Sequence, residues 1–301
     1  MKKFTLIIML LSLIAAAAGC GQSAVKHDKI TVTDAKGNEV VIEKIPDKII
    51  AMLASDVEIL YALGVQDKIV AVGEYANYPE DTANKQKVGT GTNTNIEELI
   101  NLEPDVIFIG VMGQTIEQYE QLKQAGIAVV ASNSQTIEET YKAIELIGQV
   151  VGKHQEAKDI VKNMKAGFEE IREKAASKDT LNAYVEVSPL QFGLWTCGKG
   201  TFINELLDIV NVKNVFGDLE GWAEVSEEQV IDRNPDIILT TVGISYGVEK
   251  PVEDILAREN WKGIKAVADN KVYAVDADKS ARPGPRLLEA AQELYDAVHG
   301  S

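Results

Sequence analysis

Short apolar runs alternate with amphipathic segments along most of this chain. In the first half the strand-like runs are KIIAML, KIVAVGEY, DVIFIG and IAVVAS, and the segments with helical spacing are DVEILYALG, NIEELINL and IEQYEQLKQAG. In the second half the strand-like runs are NAYVEV, DIILTTVG and KVYAVD, and the helix-like segments are FINELLDIV, SEEQVIDRN and GPRLLEAAQELYDAVHG. Alternation of this kind predicts βαβ units with mostly parallel strands.

The region between the two halves has helical spacing only. Its segments, TIEETYKAIELIGQVVG and HQEAKDIVKNMKAGFEEIREKAASK, place apolar residues three and four positions apart. We therefore predict an α/β protein with two α/β lobes, whose sheets are mostly parallel and which are joined by a long connector helix. The predicted boundaries are 30–136 for the N-terminal lobe, 137–178 for the connector and 179–301 for the C-terminal lobe.

The chain begins with MKKFTLIIMLLSLIAAAAGC, which runs from two lysines through an apolar block to small residues and Cys20. The apolar block is shorter than a typical transmembrane helix and fits a secretory signal peptide. Small residues directly before a cysteine resemble a lipoprotein signal, in which the thiol is lipidated. We expect a signal peptide over 1–19, a lipid anchor at Cys20, a flexible tether over 20–29 and an extracytoplasmic protein held at the cell membrane. The alternative is an ordinary signal peptide with an incidental cysteine.

The composition excludes several classes of partner. A formal net charge of −16 argues against binding to nucleic acid and against broad contact with anionic lipid. With 46% hydrophobic and 25% charged residues, the chain is an ordinary globular protein, long enough for two lobes. Only Cys197 remains once Cys20 is lipidated, so we expect neither an internal disulfide nor a cysteine metal cluster.

Two segments, one in each half, echo one another. NIEELINLEPDVIF begins at Asn95, and SEEQVIDRNPDIIL begins at Ser226. Each begins with a good N-cap residue and has Glu98 or Gln229 three residues later, which predicts a capping box in both. Each ends in Pro-Asp followed by apolar residues, so the proline is expected to end the helix before a strand.

The echo also places Glu97 and Glu228 at matching positions. An acid in the first turn of a helix is favoured by the positive end of the helix dipole. That explanation accounts for an acid in either segment, but it does not explain why the two positions match.

The order of signal, lobe, helical connector and lobe resembles the class III substrate-binding proteins of ABC importers. The phrases that carry the likeness include SDVEILYALGVQDKIVAVGEYANYP, NIEELINLEPDVIFIG, WAEVSEEQVIDRNPDIIL and RPGPRLLEAAQELYDAV, and it covers essentially the whole mature chain. Members of that family carry cobalamin, ferric siderophores or haem. The resemblance implies a non-enzymatic receptor with a ligand cleft between its lobes. It also implies a partner, an ABC permease dimer with its ATPase subunits, whose arginines dock on Glu97 and Glu228.

Aromatic residues in the loops of the implied cleft are candidate ligand contacts. The family's ligand lies on loops at the carboxyl ends of the strands, where open α/β sheets generally bind. Trp195 and Trp222 fall in such loops beside glycines, and Tyr75 follows the second strand. An exposed indole suits stacking on a large flat ligand. The alternative is that each tryptophan caps the core of its lobe, and that is the interpretation we prefer for Trp261, which lies in a helix-like segment.

Polar residues complete the predicted ligand site. Ser55 lies in the loop ASDVE of the N-terminal lobe. Arg282 corresponds to a pocket arginine of some cobalamin-binding members, and Asp278 corresponds to a nearby acid. Arg286, at the start of the last helix, is as well explained by a structural ion pair and is left out of the predicted site.

The residues in these loops favour cobalamin as the ligand, with a ferric hydroxamate siderophore or haem as the alternative. The three histidines, His27, His154 and His299, lie outside the cleft loops, so axial coordination of haem would need a methionine or Tyr75. Triscatecholate siderophores are strongly anionic, and the loops offer only Lys199, Lys279 and Arg282 as basic groups. We expect no cofactor and no protein metal site, because the ligand itself carries cobalt or iron.

Enzymatic alternatives have weaker support. GLWTCGKG, from Gly193 to Gly200, nearly spells the phosphate loop of nucleotide-binding proteins, but Gly200 occupies the position that needs a hydroxyl group. Cys197 has no histidine placed to activate it as a nucleophile. We therefore expect neither a nucleotide-binding nor a thiol enzyme.

Overall fold

The computed structural model of the protein describes residues 29–110, 116–243 and 246–300. The predicted signal peptide, Cys20 and the predicted tether up to residue 28 lie outside the described residues. Among the helices that are described, none combines the length and the apolar character that crossing a bilayer requires.

A five-stranded parallel sheet forms the centre of the N-terminal lobe. Its strands, in the order β5-β4-β3-β6-β7, are β3 (Ile49–Ala51), β4 (Ile69–Gly73), β5 (Gln86–Val88), β6 (Val106–Gly110) and β7 (Ala128–Ser132). The helices of this lobe are α1 (Ala54–Ala62), α2 (Ile96–Asn101) and α3 (Ile116–Gln124). Every residue of β3 and β6 is buried, because helices cover both faces of the sheet, and this is why both strands appear in the sequence as continuous apolar runs.

An antiparallel hairpin that the sequence did not predict lies at the start of this lobe. It consists of β1 (Ile30–Thr33) and β2 (Glu39–Ile42). Each strand has four residues that alternate in burial, so neither forms an apolar run. The Asp34 carboxylate accepts hydrogen bonds from the backbone N–H groups of Lys36, at 2.9 Å, and Asn38, at 2.8 Å, and thereby holds the turn.

The connector consists of α4 (Ile137–Val150) and α5 (His154–Ala175). The apolar stripe of α5 includes Val161, Met164 and Phe168, all buried. These residues belong to one hydrophobic cluster that also contains Ile49 and Val57 of the N-terminal lobe and Leu206 and Leu294 of the C-terminal lobe. The connector therefore joins the two lobes through a shared core.

The C-terminal lobe repeats the layered α/β arrangement on a smaller sheet. Its parallel strands, in the order β10-β8-β12-β13, are β8 (Leu181–Glu186), β10 (Val212–Asn214), β12 (Ile237–Thr240) and β13 (Val272–Ala274). An antiparallel ribbon pairs β9 (Leu194–Cys197) with β11 (Trp222–Val225). The helices are α6 (Phe202–Ile209), α7 (Glu227–Arg233), α8 (Pro251–Leu256), α9 (Lys265–Ala268), α10 (Ala277–Ser280) and α11 (Leu287–His299).

The ribbon corrects one expectation about local structure. Trp195 and Trp222 are expected in glycine-rich loops, but both lie on paired strands, with Trp222 opposite Cys197 and Trp195 opposite Glu224. Strand pairing uses the backbone N–H groups that a phosphate loop would need to point at a ligand, so this segment does not have phosphate-loop geometry. Trp261 is fully buried and stands edge-on to Tyr184, with ring centroids 5.9 Å apart, which confirms its placement in the core.

The two echoed segments fold alike but are capped differently. Asn95 caps α2 by accepting a bond from the Glu98 N–H at 3.2 Å, and Ser226 caps α7 by accepting from the Gln229 N–H at 3.3 Å. The reciprocal bond, from the Ser226 N–H to Gln229 Oε1 at 2.9 Å, completes a capping box in α7. In α2, Glu98 Oε1 instead accepts from Gln86 Nε2 at 3.0 Å. The expectation of a capping box in both segments is therefore right for the second and wrong for the first.

Candidate ligand-binding cleft

Two adjoining cavities lie at the carboxyl ends of the parallel strands. The first, called the interlobe cavity, has a volume of about 300 Å³ and is lined by the start of α1 and residues 132–135 from one lobe and by Phe202, Trp222 and residues 281–283 from the other. The second, called the C-lobe cavity, has a volume of about 380 Å³ and is lined by residues of the C-terminal lobe, including Tyr246 and Asp278. Trp222 and Arg282 line both cavities. A larger opening of about 460 Å³ beneath β2 is lined by the N-terminal lobe alone.

Trp222 is held firmly at the wall that the two cavities share. Its indole N–H donates a hydrogen bond to Gln135 Oε1 at 2.9 Å, across the junction between the lobes. Its ring stands edge-on to Phe202, with centroids 5.8 Å apart. The indole is half-buried against the core and half open to the cavities. A ring fixed in this way offers a flat apolar surface to a ligand at little cost in conformational entropy.

Arg282 lines the cavities while it bonds to both lobes. Its Nη1 donates to Asn77 Oδ1 at 2.6 Å and to Glu58 Oε1 at 3.2 Å, and its Nη2 donates to the Tyr75 carbonyl at 3.2 Å. The same Nη2 forms an ion pair with Asp278 at 2.8 Å. Asp278 also accepts a bond from the Asn77 amide at 2.8 Å. The two charged residues predicted to contact ligand are therefore members of a network that ties α10 and the following loop to the N-terminal lobe.

Arg286 forms the second part of this interlobe network. Its Nε and Nη2 donate to the two carboxylate oxygens of Glu58, at 2.8 and 2.6 Å, and its guanidinium lies over the Tyr78 ring at 3.8 Å. Burial lowers the pKa of Arg286, but the Glu58 carboxylate outweighs that effect, so the pKa is raised. Arg286 thus forms a structural ion pair with Glu58, as the alternative interpretation of this residue supposed. Removing Glu58 would leave the guanidinium of Arg286 without its carboxylate, whereas removing Arg286 would leave Glu58 paired with Arg282 alone.

The floor of the interlobe cavity is polar and mostly uncharged. Ser55, on α1, and Ser134, after β7, are both more than nine-tenths buried and line this cavity. Asp56 is almost completely buried beside them, and burial raises its pKa to about 7. The Ser132 hydroxyl donates to Asp56 Oδ2 at 2.6 Å, which lowers the pKa but does not offset the burial. The Ser55 of the predicted site therefore belongs to a larger polar group.

The aromatic residues around the cleft differ from the expected set. Tyr75 is 70% exposed and Trp195 is 39% exposed, and neither is among the described residues that line the two cavities. Tyr246 lines the C-lobe cavity, and its ring lies 6.4 Å from that of Phe192, which is 64% exposed. Phe192 and Tyr246 are missed by the selection of tryptophans, although both occur beside glycine in the cleft loops QFG and SYG.

The basic groups of the cleft loops are all bonded to acids. Lys199 pairs with Glu220 at 3.3 Å, and Lys279 pairs with Glu289 at 3.3 Å and also with Glu293. Arg282 is bonded to Glu58 and Asp278. No free positive charge from these three residues is therefore directed at a ligand.

Cys197 is fully buried, and burial raises its pKa to about 12. A thiol with so high a pKa stays protonated at neutral pH and is a poor nucleophile. In the part of the chain that the structure describes, no group of three or more histidine, cysteine, aspartate or glutamate side chains is placed to hold a metal ion.

Comparison with known proteins assigns the fold to a family. Residues 49–279 match the model of the periplasmic binding protein family. An uncharacterized ABC transporter substrate-binding lipoprotein of Bacillus subtilis (strain 168), YvrC, is 38% identical over 299 residues, which cover 94% of this chain and 92% of the relative.

Solved structures give the same result. A possible iron-binding (periplasmic solute-binding) protein from Staphylococcus epidermidis ATCC 12228 is 34% identical with a TM-score of 0.72, covering 85% of this chain and 100% of that chain. The periplasmic vitamin B12 binding protein BtuF of Vibrio cholerae is 26% identical with a TM-score of 0.70, covering 84% and 96%. With its two α/β lobes, shared core and interlobe cleft, the chain belongs to the periplasmic binding protein family and is the substrate-binding protein of an ABC importer.

Proposed function

We propose that this protein captures cobalamin in the cleft between its lobes. The observation that carries the proposal is the fixed indole of Trp222, which forms the wall shared by the interlobe and C-lobe cavities. Tyr246 lines the second cavity as well, so a large flat ligand would meet aromatic surface along that side. The protein has no cofactor of its own in this proposal, because the ligand supplies the cobalt.

Two further observations support this choice. The basic groups of the cleft are neutralised by carboxylates, which suits a ligand without concentrated negative charge. A relative 26% identical over 250 residues, covering 82% of this chain, is the vitamin B12-binding protein of Vibrio cholerae.

A ferric hydroxamate siderophore is the second candidate, and haem is the third. The name of the Staphylococcus epidermidis relative, a possible iron-binding protein 34% identical to this chain, favours an iron compound. For haem, neither cavity is lined by His154 or His299, the two histidines that the structure describes. Tyr75, whose carbonyl accepts a bond from Arg282, is 70% exposed and offers a phenol oxygen as a ligand to iron.

Titration with cyanocobalamin, ferrioxamine, ferrichrome and haemin decides among these ligands. We expect cyanocobalamin to quench the tryptophan fluorescence and to release heat on binding. Trp222→Ala should weaken binding by about 1–3 kcal/mol, the loss typical of an aromatic anchor. Trp195→Ala, the matched change on the same ribbon, reports whether the exposed indole of β9 takes part. Equal affinity of wild type and Trp222→Ala for every compound would contradict the proposed site.

We further propose that Glu97 and Glu228 dock on arginines of the permease dimer, which works with its ATPase subunits. Both side chains are exposed, one in the first turn of α2 and one in the first turn of α7. One acid on each lobe suits a partner made of two similar halves.

The lipid anchor at Cys20 is the last part of the proposal. The small residues before Cys20 support it, as does the name of the Bacillus subtilis relative, which is a lipoprotein. Cys20→Ala should release the protein from the membrane fraction and leave its ligand affinity unchanged. A protein that stays in the membrane fraction without Cys20 would contradict this assignment.

A further inference from the structure

The helix that begins at the floor of the interlobe cavity has free donors at its first turn. The N-cap position of α1 is Leu53, whose side chain cannot accept a hydrogen bond. Among the described residues, no acceptor is bonded to the backbone N–H groups of Ala54, Ser55 or Asp56. Leu53 and all three of these residues line the interlobe cavity. Unsatisfied N–H groups at a helix start carry a partial positive charge and favour anions.

Two serine side chains line the same space, one on α1 and one on the loop after β7, and the second of them is independent of the helix. Ser55 is 7% exposed and Ser134 is 8% exposed, and both line the interlobe cavity. Neither side chain has a hydrogen-bond partner within the described parts of the chain. Because both side chains line the cavity and have no partner among the described residues, their hydroxyl groups are available to donate hydrogen bonds to the acceptor oxygens of a ligand there.

We infer that the start of α1 and the hydroxyls of Ser55 and Ser134 form a subsite for an oxyanion at the floor of the interlobe cavity. The inference rests on the proposed function, because it takes the cleft as the ligand site, and it adds the chemical class of one part of the ligand. The group recognised is a phosphate, a carboxylate or a free tetrahedral oxyanion, which all present several acceptor oxygens to converging donors.

The subsite works through neutral donors. Arg282 lines the same cavity, but its guanidinium is already bonded to two carboxylates, an amide and a carbonyl. Asp56 is the acid among the described residues that line this cavity, and because burial raises its pKa to about 7, its negative charge is disfavoured in slightly acidic solution. Below pH 7 the donors therefore meet less competing negative charge from this carboxyl group, and backbone N–H groups at helix starts bind phosphate in the same way.

The oxyanion can reach this subsite in two ways. It can be a group of a larger compound, such as the phosphodiester of cobalamin or a carboxylate of haem, or it can be a small free anion. The donors recognise the same chemistry in both cases, so only the choice of probes separates the two sources.

Calorimetry at pH 6 on the full-length protein in detergent tests the inference. The probes are cyanocobalamin, dicyanocobinamide, which lacks the phosphodiester, haemin, inorganic phosphate and molybdate. The variants are Ser55→Ala, Ser134→Ala and the double variant. Thr82→Val is the matched control, because Thr82 is also buried with an unbonded hydroxyl but does not line the cavity.

We expect each serine variant to weaken binding of the oxyanion-bearing probe about 10-fold, as loss of a bond to a charged group does, and Thr82→Val to bind as wild type does. Should the group belong to cobalamin, cyanocobalamin alone loses affinity and dicyanocobinamide keeps it. Should the anion be free, phosphate or molybdate binds wild type and loses affinity in the variants. Thermal unfolding checks that each variant is folded. If Ser55→Ala is not folded, Ser134→Ala tests the same subsite, because Ser134 lies in a loop.

The outcomes separate this inference from the proposed function. Serine-dependent binding of a small oxyanion, with no binding of any cobalt or iron compound, supports the subsite and overturns cobalamin as the ligand. Cyanocobalamin binding that is unchanged in the double serine variant supports the proposed function and overturns the subsite. Failure of every probe to bind the folded protein overturns both.

Discussion

The segment 95–108 of the N-terminal lobe and the segment 226–239 of the C-terminal lobe follow the same structural course. Each begins with a capped helix and ends in a central strand of its sheet. In each, the residue before the proline has a left-handed backbone, with φ 49° at Glu103 and φ 40° at Asn234. This turn reverses the chain from the helix into the strand within a few residues.

The aspartate after each proline has the same structural role in both lobes. Asp105 Oδ2 accepts bonds from the N–H groups of Asp47 and Lys48, at 2.8 and 2.9 Å, just before β3. Asp236 Oδ2 accepts a bond from the Asn182 N–H at 2.9 Å, at the start of β8. Each carboxylate thus joins the start of its own strand to the start of the neighbouring parallel strand, and the Pro-Asp pair of the echo is explained by the fold.

The segments differ in the residues that the shared fold does not require. The capping box is complete only in α7, and the left-handed position holds asparagine in one lobe and glutamate in the other. Glu97 and Glu228 are exposed and form no salt bridge within the described residues. The pKa of Glu228 is lowered, chiefly by its own backbone N–H and then by Ser226, so this acid does stabilise its helix start. What the fold leaves unexplained is the match between the lobes, and docking to a two-fold partner would explain it.

The largest effect should come from charge reversal at the matched acids. The double variant Glu97→Lys and Glu228→Lys should lower uptake of the ligand into cells about 10-fold or more, because each lysine would face a permease arginine. Each single variant should keep intermediate uptake, which shows whether the two lobes contribute equally. Ligand affinity and the midpoint of thermal unfolding should stay near those of wild type.

The control for this experiment is the double variant Glu117→Lys and Glu253→Lys. These acids are also exposed in the first turns of helices, α3 and α8, one in each lobe, but lie outside the echoed segments. Their reversal changes the net charge equally and should leave uptake intact. Normal uptake by the Glu97 and Glu228 double variant would contradict docking and leave both residues explained by the helix dipole alone.

The next largest effect should come from the paired aspartates. Asp105→Ala and Asp236→Ala should each lower the free energy of unfolding by about 1–3 kcal/mol, because backbone N–H groups at a strand start lose a charged acceptor. Asp236→Ala should cost more, since its side chain is less exposed, at 18% against 30%, and also bonds to Lys265 at 2.6 Å. Urea unfolding measures the free energy of unfolding of both variants. If only one of the two variants is destabilised, the two aspartates do not have the same structural role.

The pH dependence sharpens this prediction. The Lys265 ammonium, together with the Asn182 N–H, holds the pKa of Asp236 at about 2, below its ordinary value of 3.8. The resulting stability is present above about pH 4 and is lost as the pH falls toward 2. Asp236→Asn should remove this part of the acid dependence of the unfolding free energy.

A smaller effect is expected at the caps. Ser226→Ala should cost about 1 kcal/mol, and Asn95→Ala should cost a similar amount, because each removes the acceptor for an N–H in the first turn. Gln229→Ala should add to the loss in α7, where it closes the capping box, whereas Glu98→Ala should only break the bond to Gln86. Equal effects of the last two changes on thermal unfolding would contradict the difference seen between the caps.

The smallest effect should come from exchanging the left-handed residues. Glu103→Asn should stabilise the protein by about 0.5 kcal/mol, because asparagine adopts positive φ more readily than glutamate does. Asn234→Glu should destabilise it by more, since Asn234 also accepts a bond from the Lys265 N–H at 2.8 Å. Destabilisation by Glu103→Asn would show that the exposed Lys48 pair with Glu103 matters more than backbone strain.

Much of the fold follows from local pattern. The sequence predicts the buried strands β3, β6 and β12, because burial on both faces of a sheet gives a continuous apolar run. It also predicts the helices α4 and α5, because burial on one helical face gives apolar residues three and four positions apart. Strands β1, β2, β5 and β10 are missed, because each has only three or four residues and includes exposed positions, so none forms a long apolar run. The strand identity of β9 is missed as well, since glycines at 193, 198 and 200 on either side of it indicate a loop while its pairing with β11 is a long-range contact.

The candidate site was less visible than the fold. Ser55, Trp222, Asp278 and Arg282 line the cavities, as their positions after strands suggest. Tyr75 and Trp195 do not, although their positions in the chain are similar, and their role as ligand contacts stays a prediction. Ser134 was missed because a serine in a loop has no sequence pattern, and its burial and its place in the cavity wall are properties of the folded chain.

The class of the fold, the division into two lobes and a helical connector, and the matched position of Glu97 and Glu228 follow from the amino-acid sequence, because they depend on periodicity and order along the chain. The partners of the charged groups do not, because they are set by long-range contacts. Glu58 lies more than 220 positions from Arg282 and Arg286, and no local rule pairs them, yet the three form the buried ion-pair group that joins the lobes. Charges and hydroxyls take their role from what the fold brings within bonding distance, and that is a property of the folded chain as a whole.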